Sequence, residues 1–129
     1  MRNVLCGLIA CMMALPAWAN GSVRVVRETP EIRVEIDLSS IETGKGHVSF
    51  RERHTLLAGQ IDPGSLRPMR EVLIRQRLDC KGRRVAQLSR AVFSTDDAMI
   101  SYQAVEPRLA RWQPIKQDDP VYVLVCGHS

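Results

Sequence analysis

Apolar and polar residues alternate with a period of two along several stretches of the chain, which is the pattern of half-buried β-strands. The clearest stretch is residues 32–38, where Ile32, Val34, Ile36 and Leu38 alternate with charged or acidic residues. Parallel strands need long crossover connections, usually helical, and this nearly continuous β pattern leaves no room for them. The sequence therefore predicts a mainly β protein with about six antiparallel strands, at residues 22–27, 32–38, 47–57, 71–80, 84–94 and 99–105.

Turn-forming residues separate these stretches. Gly44–Gly46, Lys81–Gly82 and Asp96–Asp97 predict tight turns, and residues 58–68 predict a loop because they contain two glycines and two prolines. A hairpin turning at Lys81–Gly82 would place Asp79 opposite Arg84 as a cross-strand ion pair.

The end of the chain admits two interpretations. The run 121–125 (VYVLV) favours a strand because its residues are mostly β-branched or aromatic. Asp119 followed by Pro120 instead fits the N-cap and first position of a helix. The segment is too short for periodicity to decide between them.

The first nineteen residues have the features of a secretory signal peptide. Arg2 precedes an apolar run, and Ala17-Trp18-Ala19 resembles a small-residue cleavage site. Residues 8–11 also resemble the lipobox of bacterial lipoproteins, in which case Cys11 would carry a lipid anchor. We expect cleavage after Ala19, a mature domain at residues 20–129 in the periplasm or on the cell surface, and no transmembrane segment.

Cys80 and Cys126 are the two cysteines that remain after such cleavage. Disulfides persist in the oxidising compartments outside the cytoplasm, so we expect an intramolecular bridge between them. Two buried thiols or an intermolecular bridge are the alternatives.

The charge balance is mildly basic, with 18 Lys and Arg residues against 14 Asp and Glu residues. This modest excess and the expected export argue against a nucleic-acid partner. The basic residues concentrate on the predicted hairpin, where Arg75, Arg77, Arg83 and Arg84 form a candidate binding surface for an acidic ligand. A solvated face that discourages edge pairing is the simpler interpretation.

Motifs for catalysis, cofactors and metals are missing from the sequence. The three histidines lack metal-ligand spacing, and there is no phosphate-binding glycine loop or Gly-x-Ser-x-Gly elbow. We therefore predict a protein that is not an enzyme and has no cofactor. Glu52 and His54 share a parity with Phe50 on one predicted strand, which favours a bulge, an edge or a hydrogen-bonded structural pair there. A hydrolase site at these two residues is the alternative.

Several short motifs, in order, resemble the surface-adhesin protein E-like domain family. They are Asp37-Leu38-Ser39-Ser40-Ile41, Gly46-His47-Val48-Ser49-Phe50, Leu78-Asp79-Cys80 before Arg83-Arg84, Trp112-Gln113-Pro114-Ile115, and the closing Val125-Cys126. Together they extend over about residues 22–127, nearly all of the expected mature chain.

The resemblance implies an antiparallel β-domain whose short C-terminal helix is tethered by a Cys80–Cys126 disulfide. It also implies that Trp112 packs over the core near that tether. Phe50 is a predicted core residue because it shares the apolar parity of Val48 and Leu56 on the strand at residues 47–57. Its functional implication is an exported binding module of the bacterial envelope, adhesin-like, that meets a protein or polyanionic ligand. A periplasmic accessory protein that self-associates, for example as a homodimer, is the alternative.

Overall fold

The computed structural model describes residues 22–127, so the expected signal peptide at residues 1–19 lies outside the described part. Six strands come first along the chain, followed by a three-residue strand and one helix. They are β1 (Val23–Glu28), β2 (Ile32–Thr43), β3 (Val48–Ile61), β4 (Pro68–Asp79), β5 (Arg84–Ser94), β6 (Met99–Ala104), β7 (Trp112–Pro114) and α1 (Pro120–Cys126).

Strands β1 to β6 lie side by side in chain order, each antiparallel to the next. Strand β7 pairs with the beginning of β5, on the side that β6 occupies further along. This arrangement confirms the mainly β, antiparallel class predicted from the alternating pattern.

One face of the sheet, here called the helix face, carries the apolar residues of the alternating pattern. Ile36, Phe50 and Leu78 are at most 1% exposed and form a buried cluster with Leu124 and Val125 of α1. Val72, Ile74 and Val92 form a second buried cluster further along the sheet. Full burial of side chains of this size stabilises a fold by about 1.5–3 kcal/mol each.

The end of the chain is a helix, as the family resemblance implied, and not the strand that residue propensity favoured. The Asp119 carboxylate accepts a hydrogen bond from the Val121 backbone N–H at 2.9 Å, and Pro120 occupies the first turn. A short helix in isolation is unstable, so burial of Leu124 and Val125 against the sheet supplies most of its stability.

The Cys80–Cys126 disulfide ties this helix to the end of β4, which confirms the predicted bridge. The two Cα atoms are 5.6 Å apart, inside the usual range for a disulfide. The Tyr122 hydroxyl donates a second link, a 2.7 Å hydrogen bond to the Cys80 carbonyl. The helix is thus held by packing, a covalent bond and a hydrogen bond at one corner of the sheet.

Three local predictions need correction. Strand β3 continues to Ile61, so residues 58–61 are not loop. The strand contains Gly59, and its pairing with β4 shifts register between Thr55 and Gln60. The β4–β5 turn has four residues, 80–83, instead of two, and Arg83 has a left-handed φ of 52° there. The third is β7, which lies between residue 105 and Pro120, where the alternating pattern predicted no strand.

Candidate functional site

Two neighbouring rows of cross-strand partners run over the other face of the sheet, here called the open face. Directly paired residues of antiparallel strands project to the same side, so the register identifies both rows. The Arg75 row consists of Val23, Asp37, Arg51, Arg75, Ser89 and Ala104. The Leu73 row consists of Val25, Glu35, Arg53, Leu73, Ala91 and Tyr102.

Two of the three acidic residues of β2 pair with the arginines of β3, while the third, Glu42, lines the second cavity of this face described below. Asp37 Oδ2 lies 2.9 Å from Arg51 Nη2, and Glu35 Oε2 lies 2.8 Å from Arg53 Nη2. Burial acts to raise the pKa of Asp37, but hydrogen bonds from Ser39 and the Arg51 charge outweigh it and lower that pKa. The hydrogen bond to Glu35 raises the pKa of Arg53. The charges on the β2–β3 side of the open face therefore balance one another.

Arg75 and Arg77 of β4 have no such acidic partners, unlike Arg70 at the start of the strand, which pairs with Glu71. Within residues 22–127 neither Arg75 nor Arg77 forms an ion pair, and their partners on β5 are Ser89 and Ala86. Arg75 is exposed, whereas Arg77 is half-buried and its Nε is buried without a hydrogen-bond partner. This part of the open face therefore carries net positive charge.

Arg51 and Arg75 stand directly opposite each other on β3 and β4. Like charges in directly opposed positions of a sheet destabilise it, by a few tenths of a kcal/mol up to about 1 kcal/mol. Asp37 compensates the charge of Arg51, so the uncompensated charge of this pair is that of Arg75, which is available to a ligand.

The two rows line an open groove of about 440 Å³. Its walls include residues of all six long strands. The charged ones are on β2, β3 and β4, and beyond Arg75 the groove continues over Leu73, Ala91 and Tyr102 towards β6, with Val23 of β1 at its other end. A second cavity of about 300 Å³ adjoins it and contains Ser39, Ser40 and Ser49. Arg51 and Arg75 line both cavities, so they stand at the junction.

The other two residues of the predicted basic surface lie at the β4–β5 turn. Arg84 forms an ion pair with Asp79 at 2.9 Å, as the hairpin register predicted, and its guanidinium lies 4.9 Å from the centre of the Trp112 ring. Arg83 is exposed in the turn itself. The structure thus brings Arg75 and Arg77 together on the open face, while Arg84 is already engaged within the chain.

Phe50 and Trp112 occupy different environments. Phe50 is 1% exposed and lies in the cluster beneath α1. Trp112 is half-buried, outside both buried clusters, and pairs with Ala86 in the row that contains Arg77. The resemblance implied that Trp112 covers the core near the disulfide; the register places it on the opposite side of the sheet, against Arg84.

Glu52 and His54 form a hydrogen-bonded pair on the helix face. Glu52 is 7% exposed; its Oε1 lies 2.6 Å from His54 Nε2, and its Oε2 accepts a hydrogen bond from Gln76 at 2.5 Å. Buried polar groups of a fold are normally satisfied in this way. Both carboxylate oxygens are engaged, which favours the structural interpretation of this pair over the hydrolase one.

Across residues 22–127 no group of three His, Cys, Asp or Glu side chains is arranged to hold a metal ion. The same part of the chain contains no helix long and apolar enough to cross a membrane.

Sequence reasoning placed Arg75 and Arg77 on one side of β4 but missed Arg51 and Tyr102. The parity of Arg51, opposite to that of Phe50, was a usable signal for its face. Its position opposite Arg75 depends on the β3–β4 register, which the alternating pattern of a single strand does not contain.

The family model described as Surface-adhesin protein E matches residues 23–127. No curated protein has a sequence that matches this chain.

Solved structures of Haemophilus influenzae protein E have a similar fold. Its crystal form II matches with a TM-score of 0.58 at 18% identity, over 90% of this chain and 95% of that chain. The structure of protein E from non-typeable Haemophilus influenzae matches with a TM-score of 0.51 at 19% identity, over 82% of this chain and 74% of that one. At such identities the likeness shows a shared fold.

Proposed function

Because the chain belongs to the surface-adhesin protein E family, we propose that it is an exported, non-enzymatic binding module of the bacterial envelope. Its ligand is a protein or a polyanion that meets the basic part of the open face. The family description supports a binding role, and the charge distribution supports the choice of face.

The observation that carries this proposal is the pair of β4 arginines without acidic partners. Arg75 and Arg77 follow each other on one side of β4, while Glu35 and Asp37 of β2 already pair with the arginines of β3. A positive patch of this kind, with Arg75 exposed and Arg77 half-buried, attracts acidic surfaces and raises their rate of association.

Export is the second part of the proposal. A signal peptide at residues 1–19 would direct the chain out of the cytoplasm, and the Cys80–Cys126 disulfide fits an oxidising compartment. Protease shaving of intact producing cells, with a periplasmic protein followed as control, separates the two destinations. Digestion of the domain while the control survives places it on the surface; survival of both places it in the periplasm.

Retention on a heparin column tests the basic part of the open face directly. We expect the purified protein to be retained in low salt and released by added salt, because such contacts are screened. Arg75→Ala/Arg77→Ala should elute at clearly lower salt. The matched control is Arg108→Ala/Arg111→Ala, which removes the same charge from the exposed segment around Pro107–Leu109. Equal elution of both double variants would show that only net charge matters and would refute the assignment of the face.

Self-association is a second candidate, favoured by the edge strand β6. Met99 and Tyr102 are 54% and 61% exposed on this strand, and Val105 directly after it is 48% exposed. Exposed apolar edges can pair with another chain. A dilution series by light scattering distinguishes the candidates: a dimer that persists on dilution and that Tyr102→Lys dissociates supports self-association, whereas a monomer at all concentrations removes it.

A further inference from the structure

We propose that the groove on the open face binds the carboxyl terminus of a peptide whose last residue is apolar. The carboxylate sits at Arg51 and Arg75, and the terminal side chain covers Leu73. This inference rests on the proposed binding function and adds the site and the chemical class of its ligand.

The anionic end of the ligand follows from the arginines. Arg51 already contacts Asp37, but Arg75 has no carboxylate partner anywhere in residues 22–127, and the two guanidinium groups stand on directly opposed residues. A carboxylate held between them would relieve their repulsion and form charge-assisted hydrogen bonds, which are about twice as strong as neutral ones. Arginine suits this task because its planar fork matches a carboxylate.

The apolar end follows from the other half of the groove. Leu73 is 39% exposed next to the charged residues of β2 and β3, and Ala91 and Tyr102 continue the same row towards β6. Tyr102 is 61% exposed, so its ring is available to cover a ligand. Ligand sites typically combine such an apolar surface with a few polar groups, in volumes of about 300–1,000 Å³.

The distance between Leu73 and Arg75 matches the size of a single C-terminal residue of a peptide. Leu73 and Arg75 are two residues apart on β4, which separates them by about 7 Å along the strand. In a C-terminal leucine or phenylalanine, bond lengths of about 1.5 Å put the side-chain tip roughly 5 Å from the carboxylate. One residue can therefore reach both parts of the groove.

The neighbouring acids limit the ligand to one anionic group at this position. Glu35 and Asp37 line the β2 side of the groove, where a second anion would meet carboxylates instead of free arginines. Inside the groove, a single carboxylate with an apolar body therefore fits this distribution better than two adjacent anionic groups.

The experiment is an NMR titration of the ¹⁵N-labelled purified protein with the tripeptide N-acetyl-Ala-Ala-Phe, its C-terminal amide, and decanoate. We expect the free acid to shift the amide resonances of Leu73, Arg75 and Ala91, and the amide to bind at least tenfold more weakly. Arg75→Ala should weaken binding of the free acid at least tenfold. Arg108→Ala, which removes an equivalent charge outside the groove, should leave it unchanged.

A second variant separates this inference from the proposed function. Leu73→Asn keeps every charge, so this variant should elute from heparin at the same salt concentration as the unchanged protein. It should nevertheless bind the tripeptide at least tenfold more weakly. If the unchanged protein binds the tripeptide but not heparin, the proposed function is overturned and the peptide site is not. Four results would each overturn the proposed peptide site. They are equal binding of the acid and the amide, resonance shifts confined to other surfaces, no binding of the tripeptide, and binding of decanoate in its place.

Discussion

Removal of the disulfide should destabilise the protein by an amount that its loop size sets. Cys80 and Cys126 are 46 residues apart in sequence, so the bridge closes a loop of nearly half of the described chain. For a loop of this size the chain-entropy model gives about 4 kcal/mol of stabilisation, acting mainly through the unfolded state. Since small domains are stable by only about 5–15 kcal/mol, Cys80→Ala/Cys126→Ala should lose a large share of its free energy of unfolding.

Urea unfolding followed by circular dichroism measures this loss, with the unchanged oxidised protein as reference. Two helix variants that keep the bridge separate the tether from packing. Leu124→Ala removes a residue that is 9% exposed and should cost about 2–5 kcal/mol, whereas Val123→Ala removes one that is 58% exposed and should cost under about 0.5 kcal/mol. A cysteine double variant that loses less than about 1 kcal/mol would refute the reasoning from loop size.

Three further predictions concern single side chains. Asp119→Ala removes the acceptor of the hydrogen bond from Val121 and should lower the free energy of unfolding by about 1 kcal/mol in urea titrations, whereas Asp119→Asn should lower it by much less. Phe50→Ala empties a site that is 1% exposed and should cost about 3–5 kcal/mol in the same assay; a loss below 1 kcal/mol would contradict its place in the core. The hydrogen bond from the Gly82 backbone and the one from Arg84 lower the pKa of Asp79 from its ordinary value of 3.8. The contribution of Asp79 to stability is therefore present above that ordinary value and is lost as pH falls through the lower folded pKa. Carboxyl NMR should therefore give Asp79 a midpoint below 3.8, and Asp79→Asn should flatten the acid limb of the stability profile; a midpoint above 3.8 would contradict this.

The arginines of the open face show how much of a sheet an alternating pattern can predict. Arg75 and Arg77 share a parity on β4, which was readable because successive side chains of a strand point to opposite sides. Which residues they face was not readable. Ser89, Ala86 and Arg51 come from neighbouring strands, and their positions depend on the register between strands.

The register between β3 and β4 depends on a connection whose structure local sequence patterns predict poorly. Residues 62–67 join β3 to β4, and the register shift between Thr55 and Gln60 changes which residues pair beyond it. Sliding one strand by one residue would move the apolar set off the helix face, so the buried cluster selects the register. The opposition of Arg51 and Arg75 is a consequence of packing on the other side of the sheet.

The sequence by itself determined the number and polarity of the long strands, the side of β4 that carries its arginines, and the start signal of the helix at Asp119. These are local properties, set by side-chain alternation and by the capping chemistry of one residue. Only the tertiary structure decided that the apolar run after Pro120 is a helix and that the two cavities meet at Arg51 and Arg75. Both depend on burial against distant parts of the chain: Leu124 and Val125 gain more by packing on Phe50 and its neighbours than the strand propensity of their segment can offset.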